Sequence, residues 1–469
     1  MTDTDAVVLP ASLATALISY ATDRFPRKCF GYLVAPQGAA QPTEFVAFTD
    51  NVRNGEEWQP EFWRRGRYFV DHEDAGFVAT ADESLRVQKA LMHRGLHEVA
   101  MFHTHRRHPG NFSDIDYDLH VSRFPSHMWH LIVSLRNVAQ PQLRAFGVSR
   151  EGVRELAVTI SDETAGHDVL ATAPSGRVSQ DLVAAWREAL VLDRRGLPRC
   201  PDAATVLAAM RGMSRFPEQF DAYVTRGFLR HARDRYEEFV APAMVPVGPA
   251  AFAMGTDASF ARHFYGETPR HPVALSPYLM SRFAVTNRVY ALLDPSRETT
   301  ASADLPVAGV SWFEAALCAA WVGCRLPTEA EWEFACGAGS PEQWCCAGKD
   351  LSAYAWFSEN ADDRRHPVGT LKPNALGLHD LHGNVWEWCQ DTYFPDYYER
   401  SPVHDPVAEE GAGTRLAATP HKVSRGGGFL ALAEMCRTRY RLRDPAAYSA
   451  DDLGFRLAKN APHTTGVIS

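Results

Sequence analysis

No uninterrupted apolar run in the chain approaches the roughly 20 residues that a bilayer-spanning helix needs, so no transmembrane helix and no membrane partner is expected. The opening Met1-Thr2-Asp3-Thr4-Asp5 is acidic and polar, with no basic stretch ahead of an apolar one, so no secretory leader is expected either. Basic clusters are short, such as Arg64-Arg65 and Arg106-Arg107. The 48 Lys and Arg face 57 Asp and Glu, for a net charge of −9. Nucleic acid rewards a concentrated basic patch and is not an expected partner. Cysteine is sparse and odd in number. Nine in 469 residues leave at least one thiol unpaired, which favours a cytoplasmic protein with reduced thiols over a disulfide framework. Internal repeats and low-complexity tracts are also missing. What is present is an ordinary globular balance, 45% hydrophobic and 22% charged, which excludes wholesale disorder. At roughly 150 residues per domain, the length predicts about three domains.

Three regions separate along the chain. Residues 6–160 alternate strand-like and helical segments, which predicts an α/β domain. Phe30 to Ala35 before Pro36, Val99 to Phe102 and Leu131 to Leu135 read as strands. Glu83 to Arg94 reads as a helix, with Leu85, Ala90 and Leu91 on or near one face. Residues 161–241 have helical spacing over Asp181–Leu192 and Asp221–Val240 and predict a helical connector. Residues 242–460 are rich in Gly, Pro, Trp and Tyr and predict a loop-rich α+β domain with little regular secondary structure. Its clearest helices are Trp312–Trp321 and Glu329–Ala335, the latter entered by a capping box from Thr328 to Glu331. Residues 461–469 read as a frayed tail.

The first chemical constellation is His103-Thr104-His105, with Ser113 and Asp116 downstream. Histidines at i and i+2 of a strand point the same way, and a carboxylate from the following helical turn can join them. Two imidazoles, one carboxylate and a water make a catalytic zinc site with an open position. Ser113 is placed to hydrogen-bond an oxyanion or the metal's water. The whole pattern, H-x-H, seven residues, S, two residues, D, resembles the JAMM (JAB/MPN) metalloprotease family over about residues 6–160. The resemblance implies zinc held by His103, His105 and Asp116, with Ser113 as oxyanion helper. It also implies cleavage of peptide or isopeptide bonds, often at the C-terminus of ubiquitin-like proteins. The family's general base is a Glu three residues before an early-strand Gly. Here that Gly is Gly31 and the matching residue is Lys28. A lysine cannot serve without a large fall in pKa. Glu56, Glu57, Glu73 and Asp74 are the alternative carboxylates. His108 reads as a solvated loop histidine, and Cys29 as a buried, inert thiol.

The second constellation is an ordered set of motifs. It includes Arg325-Leu326-Pro327-Thr328-Glu329-Ala330-Glu331-Trp332-Glu333, Gly383-Asn384-Val385-Trp386-Glu387-Trp388, Arg425-Gly426-Gly427-Gly428 and Gly454-Phe455-Arg456. The set resembles the formylglycine-generating enzyme (sulfatase-modifying factor) family over residues 242–460, which implies a C-type-lectin-like α+β fold. Asn384 and Glu387 correspond to that family's calcium-binding segment. Its oxidases hold copper on two cysteines five residues apart. The matching positions are Ala431 and Cys436, with Gly428 in place of a Ser, so the residual cysteine of a lost pair argues against formylglycine generation. Gly426-Gly427-Gly428 lacks a following Lys-Ser/Thr and reads as a backbone turn. Cys345-Cys346 and the His379/His382 pair lack a third ligand.

The leading expectation is a zinc-dependent JAMM-type peptidase or isopeptidase. Its substrate would be a protein or peptide, ubiquitin-like proteins included, with the second domain used for recognition. One alternative is a non-catalytic interaction protein, suggested by Lys28 and the lost cysteine. The other is a non-haem metal oxidoreductase centred on the C-terminal domain. For the iron-dependent branch of the second family, 161–240 supplies only His167 and His231 of three expected histidines.

Overall fold

The computed structural model describes residues 6–161 and 240–461, apart from 65–66, 73–74, 125–127, 151, 258–265, 292–293, 295–301, 323 and 409–420. The expected connector over 161–241 falls, but for its ends, outside the described residues, as does the tail. The described residues divide into two compact units, 6–161 and 240–461. No helix among them is long and apolar enough to cross a membrane.

The first unit is a seven-stranded mixed sheet. Its strands are β1 (Ala6–Pro10), β2 (Phe30–Pro36), β3 (Glu44–Ala47), β4 (Leu96–His105), β5 (Trp129–Ser134), β6 (Gln142–Ser149) and β7 (Gly152–Ser161). Their spatial order is β1-β7-β6-β5-β4-β2-β3. The helices are α1 (Ala11–Asp23), the short α2 (Gln59–Trp63) and α3 (Arg67–Asp71), α4 (Ala81–Arg94) and α5 (Asp114–Arg123). Period-two alternation divides the central strands between two cores. Ala100 and Phe102 of β4, with Leu131 and Val133 of β5, join Leu13, Ala14 and Leu17 of α1. On the other face Met101 packs with Phe30, Phe48 and Phe77, and Ile132 packs with Phe112, Phe146 and the α5 residues Tyr117 and Val121. The histidines of β4 alternate onto this second face.

Helix α4 is set by local chemistry. Thr80 accepts from the Glu83 amide at 3.1 Å, and Gly95 closes the helix in the left-handed region. Its inner stripe is Glu83, Val87 and Leu91, spaced by four, which includes Leu91 of the face expected from the sequence but neither Leu85 nor Ala90. Leu85 is 54% exposed and Ala90 also faces solvent. Glu83 is held on the inner side, where its buried carboxylate accepts from the Thr49 and Asp50 amides and the Thr49 hydroxyl.

The second unit is built from short strands: β8 (Met244–Val247), β9 (Ala250–Met254), β10 (His271–Leu275), β11 (Tyr278–Ser281), β12 (Trp386–Thr392), β13 (His421–Arg425), β14 (Arg441–Pro445), β15 (Leu453–Phe455) and β16 (Ala458–Asn460). They form sheets ordered β14-β13-β12-β15, β16-β11-β8 and β10-β9. The longer helices are α6 (Trp312–Trp321) and α7 (Glu329–Gly337). The Thr328–Glu331 capping box expected from the sequence is formed. Helix α7 is buried nearly all round although it carries three carboxylates, and each is paired. Glu329 meets Arg441 at 2.6 Å, Glu331 meets Arg325 at 2.6 Å, and Glu333 meets Arg425.

Gly383 shows how tightly the loops seat. At φ +82 its hypothetical Cβ would lie 2.0 Å from the Trp356 carbonyl oxygen. Both the left-handed backbone and the missing side chain are required. Gly383→Ala is expected to destabilise this unit by about 3 kcal/mol or more, seen as an earlier denaturant midpoint.

Candidate metal centre

Strand β4 ends in His103 and His105, two residues apart and therefore on one face. Helix α5 begins just downstream and returns Asp116 to them. The helix start is fixed by a reciprocal capping box. The Ser113 hydroxyl oxygen accepts from the Asp116 amide at 3.2 Å, and Asp116 Oδ2 accepts from the Ser113 amide at 3.0 Å. Ser113 Oγ also donates to Asp116 Oδ2 at 2.7 Å. In this state its single proton is committed to the carboxylate, and an oxyanion role would require that bond to open.

The three side chains converge. His103 Nε2 lies 2.9 Å from His105 Nε2 and 3.3 Å from Asp116 Oδ1, and His105 Nε2 lies 3.9 Å from Asp116 Oδ2. Ligand atoms around a tetrahedral zinc with bonds of ~2.0–2.1 Å stand about 3.3 Å apart, so these separations suit one small ion. Among the described residues, this is the group of three such side chains able to share a metal, and all three are buried. The protons are directed to suit it. His105 Nδ1 faces the Pro109 carbonyl at 2.7 Å. A carbonyl only accepts, so Nδ1 carries the proton and Nε2 keeps its lone pair for the centre. Burial pushes the pKa of His103 well down and that of His105 to about 4, in both cases aided by Lys28, so both imidazoles are neutral near pH 7.

Lys28 is half-buried beside this group. Its Nζ is 5.4 Å from the centre of the Phe77 ring, which itself lies 5.1 Å from the His103 ring. Its charge also disfavours protonation of His108 and His130. Glu56 and Glu57 are exposed, and Glu73 and Asp74 lie outside the described residues. His108, expected in solvent, is only partly exposed, and burial pushes its pKa well down. Cys29 is buried and its thiol pKa is raised by that burial, as expected of an inert cysteine.

The sequence reading missed two histidines. His130 of β5 meets His103 at 2.7 Å between Nε2 and Nδ1, and His120 of α5 lies behind it. A signal for His120 was present, since it stands four residues after Asp116 on the same helical stripe. His130 carried none, because its approach depends on the parallel pairing of β4 with β5.

The motif residues of the second unit are placed differently. Glu387 is fully buried. Its Oε2 accepts from Arg456 Nε at 2.6 Å and from Trp332 Nε1 at 2.7 Å, and its Oε1 accepts from Arg456 at 2.8 Å. Asn384 exchanges hydrogen bonds with the backbone of His366. As placed, the side-chain oxygens of both residues are engaged by protein groups. Cys436 and Ala431 are both buried, and the thiol faces the Gly427 backbone. One thiol and one methyl do not make a two-thiolate copper site. His382 is satisfied on both nitrogens, by the Cys436 carbonyl at 2.7 Å and the Cys345 amide at 3.0 Å. No disulfide joins the described cysteines.

Residues 10–146 match the family described as prokaryotic homologues of the JAB domain. Residues 232–461 match the sulfatase-modifying factor enzyme 1-like domain. The formylglycine-generating enzyme of Streptomyces coelicolor is 38% identical over 179 residues, which cover 34% of this chain and 54% of that protein. The serine/threonine-protein kinase pkn1 of Chlamydia pneumoniae is 38% identical over 155 residues, covering 33% of this chain and 24% of the kinase. The inactive C-alpha-formylglycine-generating enzyme 2 of Mus musculus is 28% identical over 302 residues, covering 50% and 88%. The chain thus spans about half of the first of these relatives and about a quarter of the second. It joins a domain of the JAB/MPN type, on its N-terminal side, to a domain of the sulfatase-modifying factor type.

Proposed function

We propose that the first unit is a zinc-dependent hydrolase centre of the JAMM type. It would cleave a peptide or isopeptide bond at the C-terminus of a protein, ubiquitin-like proteins included. The second unit would recognise the substrate or a partner, a role suited to the lectin-like architecture its resemblance implies. One observation carries the reading: two imidazole nitrogens stand 2.9 Å apart, the Asp116 carboxylate oxygens lie 3.3 and 3.9 Å from them, and the Pro109 carbonyl holds the His105 proton away from them. Zinc bound there would acidify a water and polarise the scissile carbonyl. The chain's own part is to hold neutral imidazoles, supply one negative charge from Asp116, and shield the floor with Phe77. The test is turnover of C-terminal fusions and isopeptide-linked ubiquitin-like substrates by the full chain, with and without a chelator. Metal-dependent cleavage is expected, and chelator-insensitive cleavage would contradict the assignment.

Lys28 favours a second reading, a centre that binds without efficient turnover. An ammonium accepts no proton, so water activation lacks its usual helper. A positioned general base is worth typically 10²–10⁴ in rate, and Lys28→Glu is therefore expected to raise kcat by roughly that factor with the metal retained. An unchanged rate in a metal-loaded Lys28→Glu protein would show that position 28 does not govern the water.

A further inference from the structure

We infer that His130 is a positioning residue of the metal centre, holding His103 in the tautomer that leaves Nε2 open to an ion, with His120 behind it. The inference rests on the metal reading and names residues that lie outside the H-x-H…S-x-x-D pattern. The geometry is a line of three rings. His103 Nδ1 is 2.7 Å from His130 Nε2, and His130 Nδ1 is 3.3 Å from His120 Nδ1. All three are at most 1% exposed. Phe112 meets the His130 ring edge-on at 5.0 Å, and Phe124 lies 5.4 Å from the His120 ring, so the line runs through an apolar wall.

A neutral imidazole has one donor and one acceptor nitrogen, so the line can be ordered in two ways. In the first, His103 carries its proton on Nδ1 and donates to His130 Nε2. His130 then donates from Nδ1 to His120, whose own proton sits on Nε2. His103 Nε2 is left as a lone pair. In the second, His130 donates from Nε2 to His103 Nδ1. The His103 proton must then sit on Nε2, pointing at His105 Nε2 and Asp116 where the ion belongs. His105 already fills its lone-pair role, since Pro109 fixes its proton on Nδ1. An ion therefore selects the first ordering, in which His130 Nε2 is the acceptor for the His103 Nδ1–H. Without that acceptor, the His103 Nδ1–H would be buried and unpaired.

The placement follows from the fold. Strands β4 and β5 are parallel, with Met101 opposite His130 and His103 opposite Ile132, so His130 reaches His103 diagonally on one face. Helix α5 presents Asp116 to the centre and His120, one turn later, to His130. One helix stripe thus serves both the ligands and their support.

The experiment uses the full chain, stripped and reloaded with zinc, with affinity read by competition against a chromophoric chelator. Outer partners of metal-binding histidines are worth about 10–100-fold in affinity, and His130→Ala is expected to lose that much. His130→Gln, whose Oε1 can stand near the Nε2 position, is expected to bind close to wild type. Equal affinity for wild type and His130→Ala, or a His130→Gln protein as weak as His130→Ala, would overturn the inference. A second measurement needs no variant. Histidine-selective ¹⁵N NMR of the zinc-loaded chain should place the proton of His130 on Nδ1 and that of His120 on Nε2. A proton on His130 Nε2 would overturn the inference. Zinc bound by wild type with an indifferent His130 retires this inference alone. No zinc in wild type retires the metal reading together with it.

Discussion

Glu387→Ala is expected to destabilise the C-terminal unit by roughly 3–5 kcal/mol, the usual cost of stranding one partner of a buried ion pair. The stranded group would be Arg456. Its guanidinium is fully buried, pairs bidentately with Glu387, and also donates to the Ser281 and His379 carbonyls. Trp332 Nε1 would lose its acceptor as well. Against a total stability of about 5–15 kcal/mol this loss is large, and melting should fall by roughly 10 °C or more. The double variant Glu387→Leu/Arg456→Met removes both charges and should recover part of the loss, since apolar replacement of a whole buried pair is often tolerated. Calcium at millimolar concentration should leave the wild-type melting point unchanged, because both Glu387 oxygens are already engaged. A calcium-dependent rise that disappears in Glu387→Gln would show instead that the motif takes a cation.

Asp116→Ala is expected to weaken zinc binding by more than about 100-fold. Outer partners alone are worth 10–100-fold, and in the proposed centre Asp116 would supply both a ligand oxygen and the one carboxylate of the trio. The substitution also removes half of the α5 capping box, worth about 1 kcal/mol. Ser113→Ala separates the two effects. It keeps the ligand and loses the hydroxyl that caps the helix, so it should lower stability by about 1 kcal/mol with a much smaller change in zinc affinity. A Ser113→Ala protein as metal-poor as Asp116→Ala would mean that helix placement, and not ligation, is what Asp116 provides.

The convergence of His103, His105 and Asp116 was legible because its order is local. The spacing of His103 and His105 fixes a shared strand face, and Ser113-x-x-Asp116 is at once a helix-cap signal and a ligand pattern. Thr328 and Glu331 are a second capping box that sequence alone located. What was not legible depends on pairings between distant segments. His130 reaches His103 only because β5 adds parallel to β4. Leu91 was placed correctly on the inner face of α4, but Leu85 and Ala90 were not, and Glu83, a polar residue, is buried there against Thr49 and Asp50. In the second unit the motifs were plain but their purpose was not. Glu387, Trp332 and Arg456 come from three separated motifs and meet in one buried hydrogen-bonded cluster, which spacing cannot reveal.

The most direct measurement is metal content by plasma mass spectrometry on the full chain, purified without a metal-affinity column, beside a His103→Ala/His105→Ala variant of equal helical content. About one zinc per wild-type chain, absent from the variant, is the expected result. No zinc in either protein, or a metal retained when both histidines are gone, would contradict a metal centre at His103, His105 and Asp116.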